Sequence, residues 1–162
     1  MNNNEIVKIV IKSSSGYFSD KPYDDKVILT EDTFSYEYKP KEESEFNPSF
    51  KWSYKTISTL FKQQFKKIAE LTAWTLDNIN IDCLDAGSIE FIVTYADKTK
   101  KEKYYICSGD SFKELFKEIK AICPSKEIPE ALRTGEDYED WEWCNSQFFR
   151  KQGYHHPPIK II

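Results

Sequence analysis

The stretch SIEFIVTYADKTKKEKYYICSGDSFKELFKEIKAICP, residues 88–124, decides the fold class. Ile89, Phe91, Val93 and Tyr95 alternate with Glu90, Ile92 and Thr94, the period of two that turns one face of a strand towards a core. After the polar turn Asp97 to Lys100 comes a second extended run, Lys103 to Cys107, so the two read as a hairpin. The period then lengthens. Phe112, Leu115, Phe116, Ile119 and Ile122 fall on one helical stripe, Ser111 and Glu114 have the spacing of a capping box, and Pro124 is expected to stop the helix.

The same grammar recurs upstream. Tyr54, Phe61, Lys62, Phe65, Lys66 and Ile68 meet Tyr105, Phe112, Lys113, Phe116, Lys117 and Ile119 at a constant offset of 51, every pair identical. Either a strand-and-helix unit is duplicated, or two amphipathic helices after strands have converged on one pattern. The stripe Ile57, Leu60, Phe61, Phe65, Ile68 and Leu71 predicts a helix of about 15 residues, with Lys62, Lys66 and Lys67 on its other side. Residues 77–87 read as irregular.

Towards the start of the chain, residues 6–11 are β-rich and set Val7, Ile9 and Ile11 on one face against Lys8. Residues 12–25, with Ser13-Ser14-Ser15-Gly16 and Lys21-Pro22, read as a loop. Val27 to Thr30 and Thr33 to Tyr38 form a hairpin or meander, and Trp52-Ser53-Tyr54 a fourth strand. The expected class is α+β: an antiparallel sheet of about six strands in the order β-β-β-β-α-β-β-α, two amphipathic helices on one face, and a C-terminal extension. The division is a core domain over residues 1–124 and an acidic, aromatic-rich extension over 125–162.

Composition narrows the function classes. The 162 residues carry 23 basic and 27 acidic side chains, a formal charge of -4, with 11 Phe, 10 Tyr and 4 Trp. Such an aromatic load argues for a packed core. The longest unbroken apolar run is four residues, Tyr104 to Cys107, against the roughly 20 of a spanning helix. The start, Met1-Asn2-Asn3-Asn4-Glu5, lacks the basic flank and apolar region of a secretory signal, so the expected compartment is the cytoplasm. The basic residues are 21 Lys and two Arg, Arg133 and Arg150, alongside 17 Ile, the bias of an AT-rich bacterial genome. With so little arginine and a pI near 5.3, the chain lacks the footprint of a nucleic-acid binder.

A search for chemistry returns little. None of the five glycines lies within two positions of another, so there is no phosphate-cradling loop, and no serine sits in a nucleophile elbow. Cys83, Cys107, Cys123 and Cys144 form no Cys-x-x-Cys pair and read as buried thiols. His155 and His156, with Cys144, could supply three metal ligands, but neighbouring histidines before Pro157 and Pro158 fit an extended tail better. No cofactor is expected. Two features resist a bland reading. The loop aromatics Tyr17, Phe18, Tyr23, Phe46 and Phe50 either fold back onto the core or line a recognition surface. Between Glu127 and Glu142 there are seven acids and one Arg, a net -6, interleaved with aromatics in Tyr138-Glu139-Asp140-Trp141-Glu142-Trp143. Trp141 and Trp143 either lie on one face of an edge strand or dock into a basic groove of a partner, which makes Tyr138, Glu139, Asp140, Trp141 and Trp143 the candidate protein-binding residues.

The expected function is a non-catalytic protein-binding module, in one version an immunity or antitoxin protein that presents acid to a basic partner. The alternative is a small enzyme or ligand-binding domain with an aromatic pocket between sheet and helices. A closed pocket with convergent polar groups would favour the second, a flat or filled face the first.

Overall fold

The computed structural model describes residues 4–15, 21–80, 87–135, 137, 148–149 and 151–154. Six strands, β1 (Ile6–Ser14), β2 (Tyr23–Thr30), β3 (Thr33–Pro40), β4 (Phe50–Lys55), β5 (Ser88–Tyr95) and β6 (Lys100–Ile106), form one antiparallel sheet in the order β4-β3-β2-β1-β5-β6. Helix α1 (Thr59–Asn78) follows β4 and helix α2 (Lys113–Lys120) follows β6; both pack on one sheet face. The expected α+β architecture is the one observed.

Three rows of side chains across the sheet make the floor of the core. Reading laterally through the ladders, the first is Tyr54, Phe34, Leu29, Ile9, Val93, Lys101; the middle one Trp52, Tyr36, Val27, Ile11, Phe91, Lys103; the third Phe50, Tyr38, Asp25, Ser13, Ile89, Tyr105. Phe61, Phe65, Ile68 and Leu76 of α1 and Leu115, Phe116 and Ile119 of α2 close over them, all nearly excluded from water.

These rows reveal a symmetry. Rotating the sheet by half a turn about an axis through the Ile11–Val27 pair exchanges β4 with β6, β3 with β5 and β2 with β1, and sends the first row onto the third. Tyr54 then falls on Tyr105, Trp52 on Lys103 and Phe50 on Lys101, which is the offset of 51 read in the sequence. The helices conform, because Tyr54 meets Phe61 edge-on at 6.2 Å and Tyr105 meets Phe112 edge-on at 5.0 Å. A rotation preserves handedness, so both strand-to-helix units turn the same way. The strand completing the second half is β1, from the start of the chain, so the symmetry is one of packing and not of a simple tandem copy.

Several local expectations are corrected. β1 runs to Ser14 and β2 begins at Tyr23, so much of the expected 12–25 loop is paired strand; ladder bonds to β2 and β5 outweigh the turn tendency of the serines. A register shift between Ile6 and Lys8 turns Ile6 inward and leaves Val7 exposed, contrary to simple alternation. α1 is capped by Ser58, whose hydroxyl accepts from the Phe61 N–H at 3.3 Å, so Ile57 lies outside it and is exposed. The helix continues past Leu71 to Asn78, because Thr72 and Thr75 hide their hydroxyls by donating to the carbonyls of Ile68 and Leu71, both at 2.7 Å. Ser111 is no cap: it lies inside a 3-10 turn, Gly109–Phe112, that leads into α2.

The first residues of the expected extension belong to the core, with Ile128, Ala131 and Leu132 joining its apolar cluster and Ser125 and Thr134 fully enclosed. Phe149 is likewise buried, edge-on to Tyr54 at 6.2 Å, and the Ser58 hydroxyl meets the Gln152 side chain at 2.7 Å. Among the described residues, no helix is long and apolar enough to cross a membrane.

Candidate functional site

The two halves differ most in helix length, and that difference opens the site. α1 has 20 residues and α2 has eight, so at 1.5 Å per residue α1 is about 30 Å long and α2 about 12 Å. α1 starts beside Tyr54 on β4 and crosses the sheet to β6, where the Lys103 ammonium donates to the Leu76 carbonyl at 2.6 Å and the Lys101 ammonium meets Asp77 at 2.9 Å. α2 starts beside Tyr105 and stops in mid-sheet, where Gln64 of α1 donates to the Glu118 carbonyl at 3.1 Å. Where the missing turns would lie, the chain runs irregularly and then as a 3-10 turn, Glu130–Leu132. The corner of β3 and β4 is left half-covered.

That corner is aromatic. Tyr23 stacks on Tyr38 at 5.5 Å and Tyr38 on Phe50 at 5.3 Å; Tyr36 leans on Phe50 at 5.8 Å and on Trp52 at 5.9 Å; Trp52 stacks on Phe34 at 5.5 Å. Tyr38, Phe50 and Trp52 are only half-buried, and with Phe46, Glu127, Glu130 and Arg133 they surround an open cleft of about 540 Å³. The Tyr38 hydroxyl donates to the Asn47 side chain at 2.9 Å, fastening the 44–47 turn as one wall. Phe46, on that turn, is 90% exposed, an uncommon position for a ring at the lip of a cleft.

A buried carboxylate fixes the opposite wall. Asp25 is 5% exposed and has no basic partner among the described residues; it accepts from the hydroxyls of Ser13 and Tyr36, the latter at 2.7 Å, and from the Ala131 N–H at 2.7 Å. The Tyr36 oxygen in turn accepts from the Glu130 N–H at 3.2 Å. Sheet and 3-10 turn are thus joined through two side chains. Burial pushes the Asp25 carboxyl up to about 6, the bonds from Ser13, Tyr36 and Ala131 working the other way. Burial, with Asp25 beside it, drives the Tyr36 phenol far above its ordinary value. Under the two-fold, Asp25 and Ser13 stand where the other half has Ile9 and Leu29.

Beyond the 3-10 turn the segment is held twice more. Arg133 forks onto Glu130, Nε to Oε2 at 3.0 Å and Nη2 to Oε1 at 3.3 Å. Asp137 accepts from the Thr134 N–H at 2.9 Å and from the nearly buried Lys120 ammonium; burial opposes its charge, but these contacts hold the carboxyl below its usual range. The backbone passes so close to the α2 entry turn that a Cβ on Gly109 would lie 2.1 Å from the Arg133 carbonyl oxygen, which only glycine permits. On the far side of this segment lies a second, polar cleft of about 320 Å³ whose lining includes Ser13, Ser88, Ser108, Asp110 and Arg133.

Of the sequence candidates, Tyr138, Glu139, Asp140, Trp141 and Trp143 lie outside the described residues, as do Tyr17, Phe18, Cys83, Cys144, His155 and His156. Cys107 and Cys123 are buried. Tyr23 and Phe50, read as loop aromatics, sit on strands and join the ring ladder, while Phe46 stays outside. The sequence marks none of Asp25, Ser13, Tyr36, Tyr38 and Trp52 as a site residue, and Glu127 only as the start of the acidic run. Among the described residues, no group of three or more His, Cys, Asp or Glu side chains is placed to hold a metal ion. Comparison of the chain with protein-family models, with curated proteins and with solved structures finds no match.

Proposed function

We propose that the protein is a non-catalytic binding module of the cytoplasm that holds a segment of another protein in the aromatic cleft between β3, β4 and the 127–133 segment. The observation that carries this reading is the half-covered ring ladder with Phe46 exposed at its lip. Exposed rings around a pocket supply much of the energy of protein recognition. Asp25 and Tyr36, the most perturbed groups nearby, are consumed in anchoring the wall, which suits a binding role better than a catalytic one. The acidic run begins on this wall at Glu127, which suits a basic partner surface of the kind an immunity or antitoxin protein covers.

One observation favours the alternative of a small-ligand domain: the cleft volume of about 540 Å³ lies within the range of small-molecule sites. A photo-crosslinking benzoylphenylalanine at position 46 separates the two in the native cell. The expected result is a protein adduct of discrete mass that disappears when Trp52→Leu is added. Adducts indifferent to Trp52, or none of protein size, would refute the protein-binding reading.

A further inference from the structure

We propose that the cleft receives a cation, the guanidinium or ammonium of an arginine or lysine side chain on the partner, its stem on the rings of Tyr38, Phe50 and Trp52 and its head group at Glu127. This rests on the reading above that the cleft takes a partner's side chain. Three observations lead to it.

Five rings, Tyr36, Tyr38, Phe46, Phe50 and Trp52, line the cleft, and ring faces carry the negative lobe of the aromatic quadrupole, which attracts cations and repels carboxylates. The charges in the lining have the same bias. Among the described residues its ionisable groups apart from the phenols are Glu127, Glu130 and Arg133; Arg133 is forked onto Glu130, and these two neutralise each other. Among the described residues, the exposed Glu127 carboxylate has no hydrogen-bonding or ionic partner, so its negative charge is left uncompensated in the lining of the cleft. Asp25, behind Tyr36, adds to that field when ionised and, among the described residues, has no basic partner that would cancel it.

The third observation is internal to the fold. The matching corner of the other half is filled by the chain's own cations. Lys103 lies over the Tyr105 ring, 5.6 Å from its centre, and donates to the Leu76 carbonyl, while Lys101 meets Asp77. At the offset of 51, Leu76 and Asp77 correspond to Glu127 and Ile128, and the two lysines to Trp52 and Phe50. Where the long helix ends, over β6, lysines therefore lie between sheet edge and helix end. Where the short helix falls short, over β3 and β4, the chain has an acid on the helix side, rings in place of the lysines, and open space between them. A cation from outside completes the pattern.

Four capped amino acids serve as probes on the full chain: the N-acetyl methylamides of arginine, lysine, norleucine and glutamate, followed through the Trp52 indole N–H by NMR. The expected result is a saturable shift with arginine and lysine in the millimolar range, at least about five-fold tighter than with norleucine and undetectable with glutamate. Glu127→Gln, an exchange at an exposed side chain, should weaken the arginine probe by about the same factor without moving the norleucine response. Norleucine binding as well as arginine, or Glu127→Gln having no effect, would overturn the cation assignment while leaving the cleft a receptor for apolar side chains. If no probe moves the Trp52 signal, both the cation assignment and the side-chain reading fail. A spectrum unchanged away from the cleft shows that the variant is folded.

Discussion

Asp25→Asn tests the anchor of the cleft wall. In the folded protein the Asp25 carboxyl titrates at about 6, because burial disfavours its charge; in the unfolded chain it returns to 3.8. The native state therefore holds this proton more tightly. The resulting stability is fully present below about pH 4 and is lost as the pH rises through 6. At about 1.36 kcal/mol per pKa unit, the total is on the order of 3 kcal/mol. Asparagine does not titrate, yet it can preserve the contacts: its oxygen accepts from Tyr36 and Ala131, and its amide donates to Ser13, whose hydroxyl rotates to receive it. Other carboxyls shape the absolute pH profile. Asp24, Glu37, Glu118 and Asp137 are held below their usual values and lose their contribution only in acid, but they are common to both proteins and cancel in the difference. Urea unfolding followed by intrinsic fluorescence from pH 4 to 8 should thus show Asp25→Asn gaining about 2 to 3 kcal/mol on the wild type across that span. A difference that is flat with pH, or that moves towards the wild type as pH rises, would refute the assignment of an uncompensated buried carboxyl.

Phe65→Ala and Phe116→Ala remove fully enclosed, symmetry-related rings and should each cost about 3 to 5 kcal/mol in the same assay. Lys120→Met leaves the Asp137 carboxylate buried without its cation and should cost about 3 to 5 kcal/mol, much of it recovered when Asp137→Asn is added. Gly109→Ala forces the Arg133 carbonyl away and should cost about 1 to 3 kcal/mol; hydrogen exchange should show protection falling first in residues 130–135.

Much of this fold was legible in the sequence, and the reasons lie in particular residues. Phe91, Val93, Phe112 and Phe116 announce their elements because one face of each is apolar and the other is not. The repeat, read from six identities, predicted the match between Tyr54 and Tyr105 that the ladders show. The site was less legible, since it depends on polar residues doing what apolar ones do elsewhere. Ser13 and Asp25 read as loop because serine runs and acids favour turns; in the sheet they are cross-strand partners whose hydrogen bonds reach a segment 106 residues away. Thr72 and Thr75 concealed the last two turns of α1 in the same way. Unequal helix lengths were therefore invisible, and with them the open corner. Three of the rings, Tyr23, Phe46 and Phe50, stand out in the sequence as too many aromatics for a loop, whereas Tyr38 and Trp52 look like ordinary members of alternating strands.

The pair Asp25 and Ser13 is not a choice made for stability. Its symmetry mates, Ile9 and Leu29, bury cleanly at no polar cost, and an apolar pair in the third row would have been the cheaper filling. A carboxylate placed there has to find its donors, and the donors it finds include a backbone N–H of the 3-10 turn. That requirement fixes where Glu130 and Ala131 must lie, and with them the height of the cleft wall above the rings. A full-length second helix would have covered the corner, as α1 covers its own, and left nothing to hold open. The short helix removes the cover and the buried acid positions what replaces it. Together these two departures from the symmetry of the fold turn a stretch of packed core into a recessed, half-covered aromatic surface.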